Sequence, residues 1–309
     1  MNGRKIRSAV ITGATGMIGA ALTEALIRSG IHVYALVRPG SRKLQQLPSG
    51  SPLLTVIPCE LSALSVLPEV PADAFFHLGW GGTIGPDRSN EQLQRENVSY
   101  ALDALMKAKA CGASVFVFSG SQAEFGPKTG VLSEETPCAP ATAYGKAKLE
   151  AEEKTRTLAA KLGIAHTAVR ILSVYGPGDN PETMIMQGIR TLYAGGRPAF
   201  TAGEQQWDYL YAEDAAEALK RLAFYGKEGG TYVLGSGEAR PLKDYIYMLR
   251  DAVAPGAALG IGEIPYAPGQ VMFLQADITK LKKDTGFSPA VPFEEGIRRT
   301  AQWYRERYL

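Results

Sequence analysis

Tyr144 and Lys148 stand four residues apart in Ala143-Tyr144-Gly145-Lys146-Ala147-Lys148. On a helix that spacing puts both side chains on one face. A phenol with its ordinary pKa of about 10 is a poor acid–base group at neutral pH. A neighbouring ammonium favours the phenolate and brings that value down. So tuned, the phenol can protonate a carbonyl oxygen or take the proton of a hydroxyl. A lone pair at this spacing is also common on helix surfaces, and Lys146 between the two shows how freely lysine occurs here. Upstream lies Phe118-Ser119-Gly120-Ser121-Gln122-Ala123-Glu124-Phe125-Gly126, just past an apolar run. A serine hydroxyl there could orient the oxygen that Tyr144 protonates, although an isolated serine serves as readily in a turn.

A second group of residues concerns phosphate. Thr12-Gly13-Ala14-Thr15-Gly16-Met17-Ile18-Gly19 follows an apolar run and opens a helical pattern. Gly13 permits a tight turn, Gly16 lets backbone N–H groups approach a pyrophosphate, and Gly19 lets helix and strand pack closely. The helix start then offers unpaired N–H donors and a positive dipole end. The strand–turn–helix setting is what this fingerprint requires, and it predicts a dinucleotide site. The next strand ends in Val37-Arg38-Pro39-Gly40-Ser41-Arg42-Lys43, without a carboxylate. An acid there would bond the ribose 2′-OH of NAD, whereas an arginine suits the 2′-phosphate of NADP. Arg38 and Arg42 therefore predict NADP(H) over NAD(H), with NAD(H) still possible. Glu60, followed by Leu61, could face the adenine amino group or solvent.

The elements that must position these residues are legible as periodicity. Short apolar runs at residues 8–12, 32–37, 53–57, 74–78, 114–118 and 166–171 read as strands. Helical spacing occupies residues 17–28, 90–110 and 143–162. Strands alternating with amphipathic helices predict βαβ units and a parallel sheet. After about residue 174 glycine and proline become dense, though residues 214–225 still read as a helix and 231–234 as a strand. The expected architecture is α/β: a parallel sheet of βαβ units up to about residue 174, and a C-terminal third that mixes returns to the sheet with a small second lobe.

Composition excludes several other classes. The 34 glycines among 309 residues show no collagen period and no low-complexity tract, so they mark turns and close approaches. Lys plus Arg is 33 and Asp plus Glu is 31, giving a net charge of +2 and no basic run for nucleic acid. Three cysteines without a CxxC pair and three scattered histidines predict no metal site and no disulfide framework, and fit a reducing cytoplasm. Arg4, Lys5 and Arg7 precede a mildly apolar stretch, but its glycines, threonines and Glu24 argue against a leader. No apolar run is long enough to span a membrane.

Taken together, TGATGMIG, the Ser-x-Ser segment, YGKAK, VRILSVYGPGD, WDYLYAED and the closing GFSP…WY stretch resemble the extended short-chain dehydrogenase/reductases of the nucleotide-sugar type. The resemblance covers nearly the whole chain, in order, and implies a Rossmann-type, doubly wound parallel sheet that binds NAD(P) in residues 1–174, with returns from the C-terminal third, and a mainly substrate-binding small lobe in residues 175–309. It implies Ser121, Tyr144 and Lys148 as the catalytic trio, with Lys148 holding the cofactor ribose and lowering the Tyr144 pKa. It implies that Leu78-Gly79-Trp80 passes beside the cofactor, with Ser119 and Asn97 supporting the site. Gly81 would leave room for a sugar. Gln122, Ser173, Tyr175, Trp207, Tyr209 and Gln270 are the candidates for substrate contact. Gln122 and Ala123 stand where the 4,6-dehydratases carry an Asp-Glu pair, which disfavours elimination of water. The expectation is reduction of a nucleoside-diphosphate 4-keto-6-deoxyhexose by NADPH. The alternative is an epimerase with tightly held NAD; a non-sugar carbonyl reductase or a non-catalytic NADP sensor fits less well. In this family, paired helices like 90–110 and 143–162 form a dimer interface, so a homodimer is expected.

Overall fold

The computed structural model describes residues 3–128, 130–267 and 269–309. Seven strands form one parallel sheet: β1 (Ser8–Thr12), β2 (His32–Val37), β3 (Leu54–Pro58), β4 (Ala74–His77), β5 (Val115–Ser121), β6 (Ala165–Ile171) and β7 (Gly230–Leu234). Their order across the sheet is β3-β2-β1-β4-β5-β6-β7. The direction of winding reverses between β1 and β4. That switch point is where doubly wound sheets bind ligands, beyond the carboxyl ends of the strands.

Successive side chains point to opposite faces, so the apolar runs supply two cores. Ala9 and Ile11 of β1 face a layer made by helices α1 (Met17–Arg28) and α5 (Ala212–Tyr225). Val10, with Phe75, Phe116 and Phe118, faces helices α2 (Glu91–Ala110) and α3 (Ala143–Leu162). Gly163 closes α3 in the left-handed conformation that a C-terminal glycine supplies.

A third cluster joins α4 (Met184–Tyr193), α6 (Leu242–Val253) and α8 (Phe293–Tyr308), as Ile189, Ile246 and Ile297 meet around Tyr175, Tyr245 and Phe293. The short α7 (Thr279–Thr285) leans on the main sheet through Leu281. Buried Asp208 anchors the segments around it. Its carboxylate accepts from Ser236 N and Oγ, both at 2.7 Å, and from Gly237 N at 3.1 Å and Ala276 N at 3.0 Å. No helix among the described residues is long and apolar enough to cross a membrane.

Candidate active site and cofactor groove

The glycine turn joins β1 to α1 as the spacing requires. Gly13 has φ +70°, which side-chain-bearing residues seldom adopt. A Cβ on Gly19 would collide with Gly13 O and Ala14 Cα, so helix and turn touch backbone to backbone. Helix α1 starts at Gly16 with no side-chain cap, leaving its first N–H groups for another acceptor.

A groove of about 680 Å³ runs from this turn across the switch point. It gathers Gly13, Thr15, Gly16, Arg38, Arg42, Glu60, Leu61, Gly79, Trp80, Gly81 and Asn97 of the sequence candidates. Lys43 from the same cationic stretch joins them, as do Ser41, Cys59 and Tyr100, which the sequence reading gave no role. The polar turn at one end and the Leu36, Leu61 and Leu64 slot suit a dinucleotide's phosphates and adenine. Other candidates fall outside the groove's walls. Met17 faces a separate depression beside Pro177 and Tyr211, and the Ile18 and Leu78 side chains pack on the core, so all three can act only through backbone. Ser119 spends its hydroxyl on His77 O at 3.0 Å.

Two side chains of α2 pin the loop beside the groove. Asn97 accepts from Gly81 N at 2.9 Å and donates to Gly81 O at 3.0 Å. Gln94 accepts from Trp80 Nε1 at 2.8 Å and donates to Gly82 O at 2.9 Å and Asp87 O at 3.0 Å. Below them, Thr12 Oγ1 accepts from Gly79 N at 3.0 Å and meets His77 Nδ1 at 3.0 Å. The threonine hydroxyl and the histidine Nδ1 share that hydrogen bond, which a neutral ring can make as donor or acceptor according to its tautomer. Burial lowers His77 to about 3, and the Lys148 ammonium adds to this.

Thr142 caps α3 by accepting from Gly145 N at 3.1 Å, and this sets Tyr144 and Lys148 in the first turns. Both are buried. Burial raises the Tyr144 phenol above its ordinary value, a hydrogen bond with the Ser121 side chain and the Arg88 charge oppose the rise, and the Glu124 carboxylate adds to it. The expected role of Lys148 in this balance is corrected here. Its ammonium donates to Ser119 O at 2.7 Å and lies 3.8 Å over the Trp80 ring, while Arg88 is the cation on Tyr144, 4.5 Å over its ring. Burial holds Lys148 well below the usual lysine value, and Glu124 partly restores it.

A second cavity, of about 270 Å³, opens beside the serine turn. Its polar lining is Arg88, Gln122, Lys128 and Thr142, with Val271 and Leu274 opposite; no acid lines it among the described residues. Gln122 Oε1 is buried without a hydrogen-bond partner. The other substrate candidates are not brought here. Tyr175 is fully buried in the lobe core and donates to Phe293 O at 3.2 Å, because the alternation of its strand turns it inward. Tyr209 stacks edge-on against Tyr175 and Tyr245. Ser173 and Trp207 satisfy each other, the indole donating to the hydroxyl at 2.9 Å. Gln270 donates to the neighbouring Val271 O at 3.2 Å.

The fold and this arrangement define a nucleotide-binding α/β enzyme of the short-chain dehydrogenase/reductase type. The profile of the NAD dependent epimerase/dehydratase family matches residues 9–235, and the chain belongs to that family. It is 30% identical over 181 residues to a dTDP-glucose 4,6-dehydratase of Salmonella typhimurium, a match covering 56% of this chain and 50% of that protein. The chain thus spans about half the length of several dehydratases that it matches. An uncharacterized UDP-glucose epimerase, YtcB, of Bacillus subtilis is 27% identical over 93% of this chain and 95% of its own. Among solved structures, a UDP-N-acetylglucosamine 4-epimerase from Methanobrevibacter ruminantium, in complex with UDP-N-acetylmuramic acid, superposes with a TM-score of 0.88 at 24% identity, covering 98% of this chain and all of that one.

Proposed function

We propose that this chain is a nucleoside-diphosphate-sugar 4-epimerase that keeps its dinucleotide bound. The observation that carries the reading is the cavity beside the Ser121 turn: among the described residues it is lined by Arg88, Gln122, Lys128 and Thr142 and by no acid, and Ser121 and Tyr144 adjoin those residues without lining it. Such a site can exchange a proton at one sugar oxygen but has no acid–base pair to expel water, which argues against a dehydratase. The names of the epimerases among the similar proteins support the same direction. The groove residues Gly13, Thr15 and Gly16 would hold the pyrophosphate, and bound NAD supplies the hydride acceptor and donor. Tyr144 removes the proton of the C4 hydroxyl and later returns one. Ser121 orients that oxygen. Lys148 supports the site through Ser119 O and the Trp80 ring, and Gln122 offers its free carbonyl oxygen to a sugar hydroxyl. Incubation of the purified protein with UDP- and dTDP-hexoses, without added cofactor, is expected to yield the 4-epimer. Turnover only when NADPH is supplied refutes the reading.

A second reading, reduction of a 4-keto-6-deoxyhexose by NADPH, is favoured by Arg38, Arg42 and Lys43 in the groove wall. Under it, Arg38→Ala weakens NADP(H) at least tenfold more than NAD(H). Equal loss for both favours the epimerase.

A further inference from the structure

Glu124 sits directly behind Ser121. Its Oε1 accepts from Ser121 N at 2.7 Å, while Ser121 Oγ accepts from Ala123 N at 3.2 Å. These bonds close a capping box around the turn at residues 122–124. The second oxygen, Oε2, accepts from Arg170 Nε on β6 at 2.9 Å. That Nε also reaches Glu152 Oε2 on α3 at 3.2 Å, and Arg170 Nη2 reaches Glu152 Oε1 at 3.2 Å. Thr231 on β7 donates to the same Glu152 oxygen at 2.9 Å, and Arg156 pairs with it too. Both carboxylates are fully buried and Arg170 nearly so.

Glu152 serves two arginines, Arg170 and Arg156, so Glu124 completes a buried cluster of two acids and two cations. The Ser121 N–H does not need a charge to satisfy it. What Glu124 adds is a tie. Through one guanidinium, the turn that carries Ser121 is bound to the helix that carries Tyr144 and Lys148. The charge of Glu124 also faces Tyr144 and Lys148 on α3 and Cys138 ahead of it, whereas Arg156 reaches it only through Glu152.

We propose that Glu124 is a positioning residue: it holds Ser121 against Tyr144 by tying the turn to Arg170. The kinetic consequence rests on the oxidoreductase reading above; the structural tie does not. Burial and Glu152 lift the Glu124 carboxyl well above the usual range, which fits an acid sharing its cation with another.

The test uses the full chain with Glu124→Asp, one methylene short. It is expected to lower kcat about tenfold with KM for the sugar within threefold, the signature of a misplaced transition-state contact. Exchange of the Ser121 amide proton, followed by NMR, is expected to speed at least about tenfold in the same variant while the Val10 amide of β1 keeps its rate. Full kcat in Glu124→Asp overturns the proposal, as does an unchanged Ser121 amide. If Glu124→Asp does not fold, Glu124→Gln, which turns an amide N–H toward Arg170, takes its place with the same expected loss of kcat. If no sugar turns over, the proposed function fails separately, and the amide exchange still decides.

Discussion

Lowering the pH should weaken this fold through His77 in a way that a single substitution can isolate. The ring is buried, stacks against Phe116 and Phe118, and shares a hydrogen bond with the Thr12 hydroxyl through Nδ1. It stays neutral until about pH 3, whereas the unfolded chain binds this proton near the ordinary value of 6.5. Between those values only the unfolded state carries the proton. Its folded pKa is depressed, so stability is fully present above the unfolded value and falls as pH drops below it. From pH 8 to pH 5 the loss is RT ln(1 + 10^1.5), about 2 kcal/mol. Buried acids with raised pKa values, such as Glu124 and Asp179, act in the opposite sense, so total stability does not isolate the histidine. The difference between wild type and His77→Phe does. Urea unfolding at pH 8, 6.5 and 5 should show that difference moving by about 2 kcal/mol in favour of the variant as pH falls. A constant difference across the range would refute the assignment of a buried, neutral His77.

Gly19→Ala must push α1 off the glycine turn, because its Cβ meets Gly13 O and Ala14 Cα. It should cost about 1–3 kcal/mol of stability and release bound nucleotide; a variant with wild-type melting and retention contradicts the packing. Trp80 borders the groove and covers Lys148, so dinucleotide should change the intrinsic fluorescence, and Trp80→Phe should remove most of that response. Tyr144→Phe should cut kcat by at least about a hundredfold while leaving the far-ultraviolet circular dichroism unchanged. Met106, half exposed on α2, lies on the face expected to pair with a second copy. Met106→Glu should shift sedimentation from dimer to monomer, and an unchanged species excludes that face.

The sheet was legible because its central strands are buried on both sides and read as apolar runs; the edge strand β3 was read from its apolar residues although it is partly exposed. The boundary of β5 was not, since Ser119, Gly120 and Ser121 continue its pairing with β6 in residues that look like a loop. The glycine turn and the Tyr144–Lys148 face follow from local spacing, and the structure brings them to one end of the sheet. Glu124 and Arg170 meet across 46 residues, and no periodicity announces that pairing. Arg88 likewise arrives from a loop without a pattern. Thr142 could have been found, as a threonine just before a helical run is a capping signal. Tyr175 was misplaced for a simple reason: the YGPGD stretch marks the exit from the sheet, but the strand Ser173–Tyr175 turns that ring into the core. The expected lowering of the Tyr144 pKa by Lys148 has no direct contact behind it here: the ammonium lies on Trp80 and Ser119 O, and Arg88 is the cation over the phenol ring.

The central claim is that C4 of a nucleotide sugar is oxidised and reduced within one bound complex. It is tested most directly with a UDP-hexose deuterated at C4, incubated with the purified chain and no added cofactor. The account predicts a 4-epimer that keeps the deuterium at C4. An epimer that has lost the label, or a product formed only when NADPH is supplied, would contradict it.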